Sequence, residues 1–184
     1  MKKVFLSALT IILVNMAFAQ HVEFGLKGGV NFANLKDDAN SNTDARTGFN
    51  AGALAHIHLS KTFAIQPEVV YSVQGAEYSS GKMQLNYINV PVLAQYMFGN
   101  GFRLQTGPQL GILTTSKFKS GNTKVDVDMR TADVAWSFGA SYISPMHLGV
   151  DARYNLGLTD ISKASPDLKN RVWQLGLFYQ FRHQ

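Results

Sequence analysis

From Gln20 onward the chain changes polarity at every second residue, in one segment after another. The final segment shows the pattern most plainly. Trp173, Leu175, Leu177, Tyr179 and Phe181 are large and apolar, while Gln174, Gly176 and Gln180 between them are polar or small, with Phe178 the one exception. A period of two marks a strand with two unlike faces. Seven earlier segments share it: Val22–Phe32, Phe49–Leu59, Phe63–Val73, Tyr87–Phe98, Phe102–Ile112, Val134–Tyr142 and Leu148–Leu158. No segment carries a helical period.

The connections alternate in length. Ser60–Thr62, Gly99–Gly101 and Ser144–Met146 are tight turns, the second a strong hairpin signal. Leu35–Ala45, Gly75–Met83, Ser116–Thr131 and Thr159–Asn170 are polar and read as loops. Eight strands joined by long and short connections in strict alternation predict an all-β fold. The expectation is an eight-stranded antiparallel up-and-down transmembrane β-barrel, with long loops outside and both termini periplasmic. About 9–11 tilted residues suffice for a strand to cross a bilayer.

The two faces decide between a membrane barrel and a soluble one. Leu59, Phe63, Phe98, Phe102, Tyr142, Leu148, Phe24, Tyr179 and Phe181 gather at the turn end of the apolar face. Phe32, Phe49, Tyr71, Trp136, Tyr154 and Trp173 gather at the other end. Two aromatic belts around an aliphatic waist match the two interfaces of a membrane. A soluble barrel would have to hold these bulky residues inside, and an eight-stranded lumen is too narrow. The opposite face is rich in glycine and holds Glu23, Lys27, Glu68, Arg103, Asp151 and Arg153, three acids and three bases. Buried charges need partners, so these residues are expected to form a packed luminal charge network and not a conducting channel. Pro67, Pro91 and Pro108 lie within strands, where the missing N–H predicts a bulge at each.

Composition adds an address. Lys2 and Lys3, the apolar run Val4–Val14 and Ala17-Phe18-Ala19 make residues 1–19 a secretory signal peptide, leaving residues 20–184 as the outer-membrane barrel domain. The formal charge of +5 includes the two signal lysines, so no nucleic-acid partner is inferred. The chain has no cysteine, which excludes disulfides and thiol chemistry. A mean hydropathy of −0.05 is compatible with a barrel, whose strands dilute the lipid face by half.

The segments GLKGGVNFA (Gly25–Ala33), YINVPVLAQY (Tyr87–Tyr96), GPQLGIL (Gly107–Leu113) and RYNLGLTDI (Arg153–Ile161) resemble those of PorT-type outer-membrane β-barrel proteins over nearly all of the mature chain. The resemblance implies a Gram-negative outer-membrane barrel without catalytic residues, serving an envelope structure or a secretion or assembly complex. Pro91 and Pro108 coincide with family prolines. Gln174, Gly176, Tyr179 and Phe181 also resemble the terminal signal read by the barrel assembly machinery, although Arg182, His183 and Gln184 overhang it. A peptidoglycan-binding domain is not expected.

Little in the sequence points to catalysis or to a metal. His56 and His58 share a strand face with Glu68 diagonally opposite, but a third clear ligand is wanting, so no metal, cofactor or catalytic residue is assigned. His21, His147 and His183 lie at termini or a turn. A lipid-modifying enzyme would need its histidine near the outer rim, and every histidine here falls in the periplasmic half. The other expected role is a binding barrel whose outer loops engage a ligand or surface. Expected partners are outer-membrane lipid and lipopolysaccharide, the barrel assembly machinery and an envelope protein complex. Lys117, Lys119, Lys124 and Arg130 could meet lipid phosphates, but Asp126 and Asp128 beside them favour an ordinary solvated loop.

Overall fold

The computed structural model describes residues 22–37, 44–78, 81–120, 123–162 and 168–181. The expected signal peptide and the overhang Arg182–Gln184, with His21 and His183, lie outside the described residues. Among the described residues nine strands run in order: β1 Val22–Asp37, β2 Asp44–His58, β3 Phe63–Tyr78, β4 Gly81–Met97, β5 Phe102–Ser120, β6 Thr123–Asp126, β7 Ala132–Ile143, β8 Leu148–Gly157 and β9 Leu168–Gln180. All pairings between them are antiparallel. Eight close a ring in the order β1, β2, β3, β4, β5, β7, β8, β9, with β9 returning to β1 from Gly25↔Gln180 to Asp37↔Leu168. β6 stands outside the ring and, among the described residues, pairs with the far end of β5. Closure removes the unpaired strand edge that lipid cannot tolerate.

Alternation sets the two faces as the sequence predicts. Leu26, Phe49, Val69, Val92, Leu104, Phe138, Val150 and Leu175 are exposed on the outer wall, while Lys27, Asn50, Glu68, Gln105, Ser137, Asp151 and Gln174 are buried inside. At the turn end aromatic rings pack together outside, with centroid separations of 5.3 Å for Phe63–Tyr96, 4.9 Å for Tyr96–Phe98 and 5.5 Å for Phe98–Phe102. At the loop end Phe49–Tyr71 and Tyr154–Trp173 form similar contacts at 6.0 and 4.9 Å. Trp136 satisfies its indole N–H on this wall by donating to Thr106 Oγ1 at 2.9 Å. Phe178, the exception to the polar face of β9, points inward, and its ring fills the space beside Gly149 where a Cβ would lie 2.2 Å from Phe178 Cζ.

Three expectations are corrected. The prolines do not create bulges: Pro67↔Val92 and Pro91↔Gln109 keep the offset of their strands, and Pro108↔Trp136 lies in an unbroken register. Ladder pairing is interrupted beside Pro67 and Pro91 instead, between Pro67↔Val92 and Val70↔Asn89 and between Pro91↔Gln109 and Ala94↔Thr106. The register shifts lie elsewhere, between Ala45 and Asn50 on β2 and between Asn86 and Tyr87 on β4. Near the first, Val73 is buried although its parity predicts exposure.

The second correction concerns the stretches read as loops. Gly75–Met83 belongs almost wholly to β3 and β4, and Ser116–Thr131 contains the end of β5 and all of β6. β1 likewise continues to Asp37 and β9 begins at Leu168. Polar composition looked like loop because these strands have left the apolar surroundings. The third correction is the core. Leu35, Ala76, Met83, Leu85, Tyr87, Met129 and Ile161 form a buried apolar cluster at the loop end, inside the wall.

Leu175 stands mid-wall opposite Ala152, whereas Tyr179 stands at the turn-end belt opposite Leu148. Leu175→Lys should lower the unfolding free energy in lipid vesicles by about 2–4 kcal/mol, and Tyr179→Lys by about 1 or less. Denaturant titration of refolded protein, read by unheated gel migration, measures both.

Candidate functional site: the crossed lumen and its cap

The lumen is filled in three layers. At its centre Glu68 on β3 meets Arg153 on β8, four strands away round an eight-strand ring and therefore directly across it. The pair is bidentate, with Arg153 Nη1 and Nη2 each donating to a Glu68 oxygen at 2.9 Å. Lys27 on β1 donates to Glu68 at 3.2 Å and to Asp151 at 3.4 Å, and Arg153 lies 3.7 Å from Asp151. Gln66 Nε2 adds a further bond to Glu68 at 2.8 Å. The four charged side chains are at most 4% exposed. A planar guanidinium facing a carboxylate in this way fixes direction as well as distance.

Of the six charges singled out from the sequence, the structure thus brings Lys27, Glu68, Asp151 and Arg153 together. Arg103 lies towards the turn end and donates to Gln180 Oε1 at 3.2 Å. Glu23 stands opposite His56 in the β1–β2 register at the same end. A fourth luminal acid was missed. Asp133 is buried at the start of β7 and accepts from Thr159 Oγ1 at 3.1 Å. Extending the alternation of Ser137 and Ala135 back by one step would have found it.

The turn-end layer holds His56 and His58, edge to face with centroids 4.5 Å apart. His56 is wholly buried, beside Gln66 in the β2–β3 offset, and Gln95 donates to Gln105 at 2.9 Å in the same layer. Among the described residues no group of three His, Cys, Asp or Glu side chains could hold a metal ion. Towards the loop end, amides take over from charges. Asn50 donates to Asn31 at 2.6 Å, Gln174 to the same Asn31 oxygen at 3.1 Å, and Asn31 to Ser72 at 2.9 Å. Asn170 bonds Gln74, which donates to Ser72 at 2.9 Å.

Above the amides lies the apolar cluster, covered by the chain on either side of Met129 and Ile161. The two crossings are joined by the Met129↔Ser162 bridge, by Arg130 N donating to Ile161 O at 2.9 Å, and by Arg130 Nε donating to Ser162 O at 2.8 Å. Asp160 is the clasp. Its Oδ1 accepts from the backbone N–H of Ser162 at 2.9 Å and of Leu168 at 2.8 Å, and its Oδ2 lies 3.3 Å from Arg130. Those two amides, chiefly Leu168, together with Arg130, hold the Asp160 carboxyl below its ordinary value.

The terminal-signal residues divide between the faces of β9. Gln174 is buried in the amide layer and Gly176 lies against Asp151 and Gly28, while Tyr179 and Phe181 are exposed outside with rings 5.5 Å apart.

A closed ring with an apolar exterior and a crossed interior is the geometry of a barrel whose solvent is lipid. A family model described as outer membrane protein beta-barrel domain matches residues 18–163. The chain belongs to that family. The family is one of the Gram-negative outer membrane, and two solved structures of bacterial surface proteins share its fold. Ail, the attachment invasion locus protein of Yersinia pestis, superposes with a TM-score of 0.56 at 20% identity, covering 86% of this chain and 98% of Ail. Neisserial surface protein A superposes at 0.66 with 13% identity, covering 88% of this chain and 99% of that one. At these identities the likeness is one of fold. Among curated protein sequences none matches the chain.

Two outcomes test this site. Glu68→Ala leaves the buried Lys27 and Arg153 with Asp151 as their one remaining shared acid, and should cost about 3–5 kcal/mol in denaturant unfolding. The Asp160 clasp gives a pH signature. A depressed carboxyl stabilises above its unfolded value of about 3.9 and loses that contribution as pH falls through the lower folded value. Amide hydrogen exchange at Ser162 and Leu168, corrected for intrinsic rates, should therefore accelerate below about pH 4. In Asp160→Ala it should be fast at every pH.

Proposed function

We propose that this barrel neither conducts nor catalyses, and acts by contact through its loop end, as a structural or accessory component of the envelope. The observation that carries the reading is the contrast between the two ends of the wall. The interior is crossed by Glu68–Arg153 and filled at the loop end by the apolar cap, and around that cap β3, β4 and β5 carry the wall on beyond its lipid-facing band and gain β6 as an extra strand. A wall prolonged around a filled interior serves a surface better than a passage. The buried position of His56 near the turns, remote from the loop end, argues against a lipid-modifying enzyme.

In this reading the tight turns and both termini are periplasmic and the cap faces outward. The PorT-type segments favour an envelope protein as the thing contacted. Gln174, Gly176, Tyr179 and Phe181 would serve the barrel assembly machinery during insertion, with the polar pair presented on one face and the aromatic pair on the other.

The absence of cysteine from the sequence makes a clean test possible. Ser120→Cys, at the end of β5, should react with a membrane-impermeant maleimide in intact cells, and Asn100→Cys, in the β4–β5 turn, only after permeabilisation. The refolded barrel should give no sustained conductance steps in planar bilayers. Open-channel steps, or the reverse labelling pattern, would overturn the reading.

A further inference from the structure

In sequence order the charges near β6 are mixed; in the barrel the register sorts them. Lys82 on β4 stands directly opposite Lys119 on β5, which stands opposite Lys124 on β6. Lys117, two residues from Lys119, lies between Gln84 and Asp126. The acids fall at the margins. Glu77 takes Lys82 at 2.8 Å, and Asp126 stands opposite Lys117. Lysine directly opposite lysine in an antiparallel pair is destabilising, so this row has a cost that the fold itself does not explain.

The direction in which the row faces is set by one residue. Ile112 is exposed on the outer wall, and unbroken alternation from it would turn Thr114, Ser116 and Phe118 outward and Lys117 and Lys119 inward. The pairs Tyr87↔Leu113 and Asn86↔Thr115 leave Thr114 unmatched, a bulge whose Oγ1 donates to Asn86 O at 2.9 Å. Beyond it the parity is reversed, as bulges do when they re-aim side chains. Phe118 now packs with Met83 on the apolar cluster, and the lysines share the outer face. On β4 the parity is unchanged from Ile88 to Gln84 and Lys82, with Asn86 between them buried beside the bulge. The lysines therefore sit on the wall directly above its lipid-facing band, and not inside the cap. Lys82 remains 61% exposed despite Glu77 and keeps further N–H donors.

We propose that Lys82, Lys117 and Lys119 form a binding site for the phosphate groups of anionic glycolipid in the leaflet that surrounds the loop end. The inference rests on the outward orientation of that end, and it names a membrane lipid as the occupant because the row continues the face that lipid covers. A cation on this wall attracts a neighbouring anionic headgroup, and long lysine stems reach along an apolar surface to do so.

The test uses the full mature chain refolded in zwitterionic detergent, where orientation plays no part, so it can fail without the orientation failing and the reverse. Mixed micelles carrying diphosphorylated lipid A, or the same lipid with its phosphates removed, are titrated against wild type, Lys119→Gln and the triple Lys82→Gln/Lys117→Gln/Lys119→Gln variant. Lys61→Gln, at the opposite end, is the control, and unheated gel migration verifies folding. Wild type should prefer the phosphorylated lipid, losing affinity about fivefold for one lysine and about a hundredfold for all three, with Lys61→Gln unchanged. Equal binding of both lipids by wild type, or an unaffected triple variant, would overturn the proposal. So would competition by soluble heparin at the same charge concentration as effective as that of the phosphorylated lipid, since the site would then read free polyanions. If the triple variant misfolds, the charge-preserving Lys82→Arg/Lys117→Arg/Lys119→Arg chain carries the test: retained preference supports the proposal and lost preference overturns it.

Discussion

The bidentate contact between Arg153 and Glu68 is the constraint from which the interior follows. Two ions taken out of water are costly, and their attraction offsets that cost only when geometry and supporting bonds are good. Glu68 accordingly receives Arg153 twice, Lys27 and Gln66. Because its two ends stand on opposite strands, the contact sets the distance across the ring. The glycines of the luminal face then become necessary: Gly29, for example, lets β9 approach so closely that a Cβ there would lie 2.2 Å from Leu175 O. Such a pair gives little net stability compared with apolar packing. What it supplies is uniqueness, since a slipped register would leave four buried charges without partners.

Charge at the centre also explains the layering. Amides above it can satisfy one another without net charge, and above them the wall leaves lipid and its interior can close on apolar contacts. Leu35, Met83, Leu85 and Ile161 do inside the loop end what a globular core does elsewhere. The Asp160 clasp holds the two crossings that complete it.

Within the span nearly everything was legible in the sequence, because lipid outside and a narrow polar interior inside impose one rule on each face. The alternation of Trp173 with Gln174, or of Phe138 with Ser137, needs no tertiary information. Legibility fails where that rule stops applying. Past the lipid a strand can be polar on its outer face, so Lys82 reads as loop although Met83, Leu85 and Tyr87 keep an inward alternation. The bulge at Thr114 leaves no local signal, since its cause is the pairing with β4. The prolines misled in the opposite sense. A lost donor suggested a bulge, yet the neighbours hold the register and the strands pass through unshifted. Of the luminal charges, membership of the interior could be read from parity, but which acid meets which base depends on the diameter of the ring.

The unmatched Thr114 has a consequence for how such a wall can vary. One residue separates two reading frames on the same strand: below it even positions look outward, above it odd ones do. Insertions or deletions of two residues beyond this point would lengthen or shorten the projection and leave its faces intact. Deletion of the bulged residue alone would straighten the ladder and keep Phe118 inward and the lysines outward, whereas drawing Thr114 into the ladder would exchange Phe118 with the lysines, turning the basic face into the apolar cap while every contact with lipid stayed in place. The span and the projection can therefore diverge independently, joined by a single residue that belongs to the frame of neither.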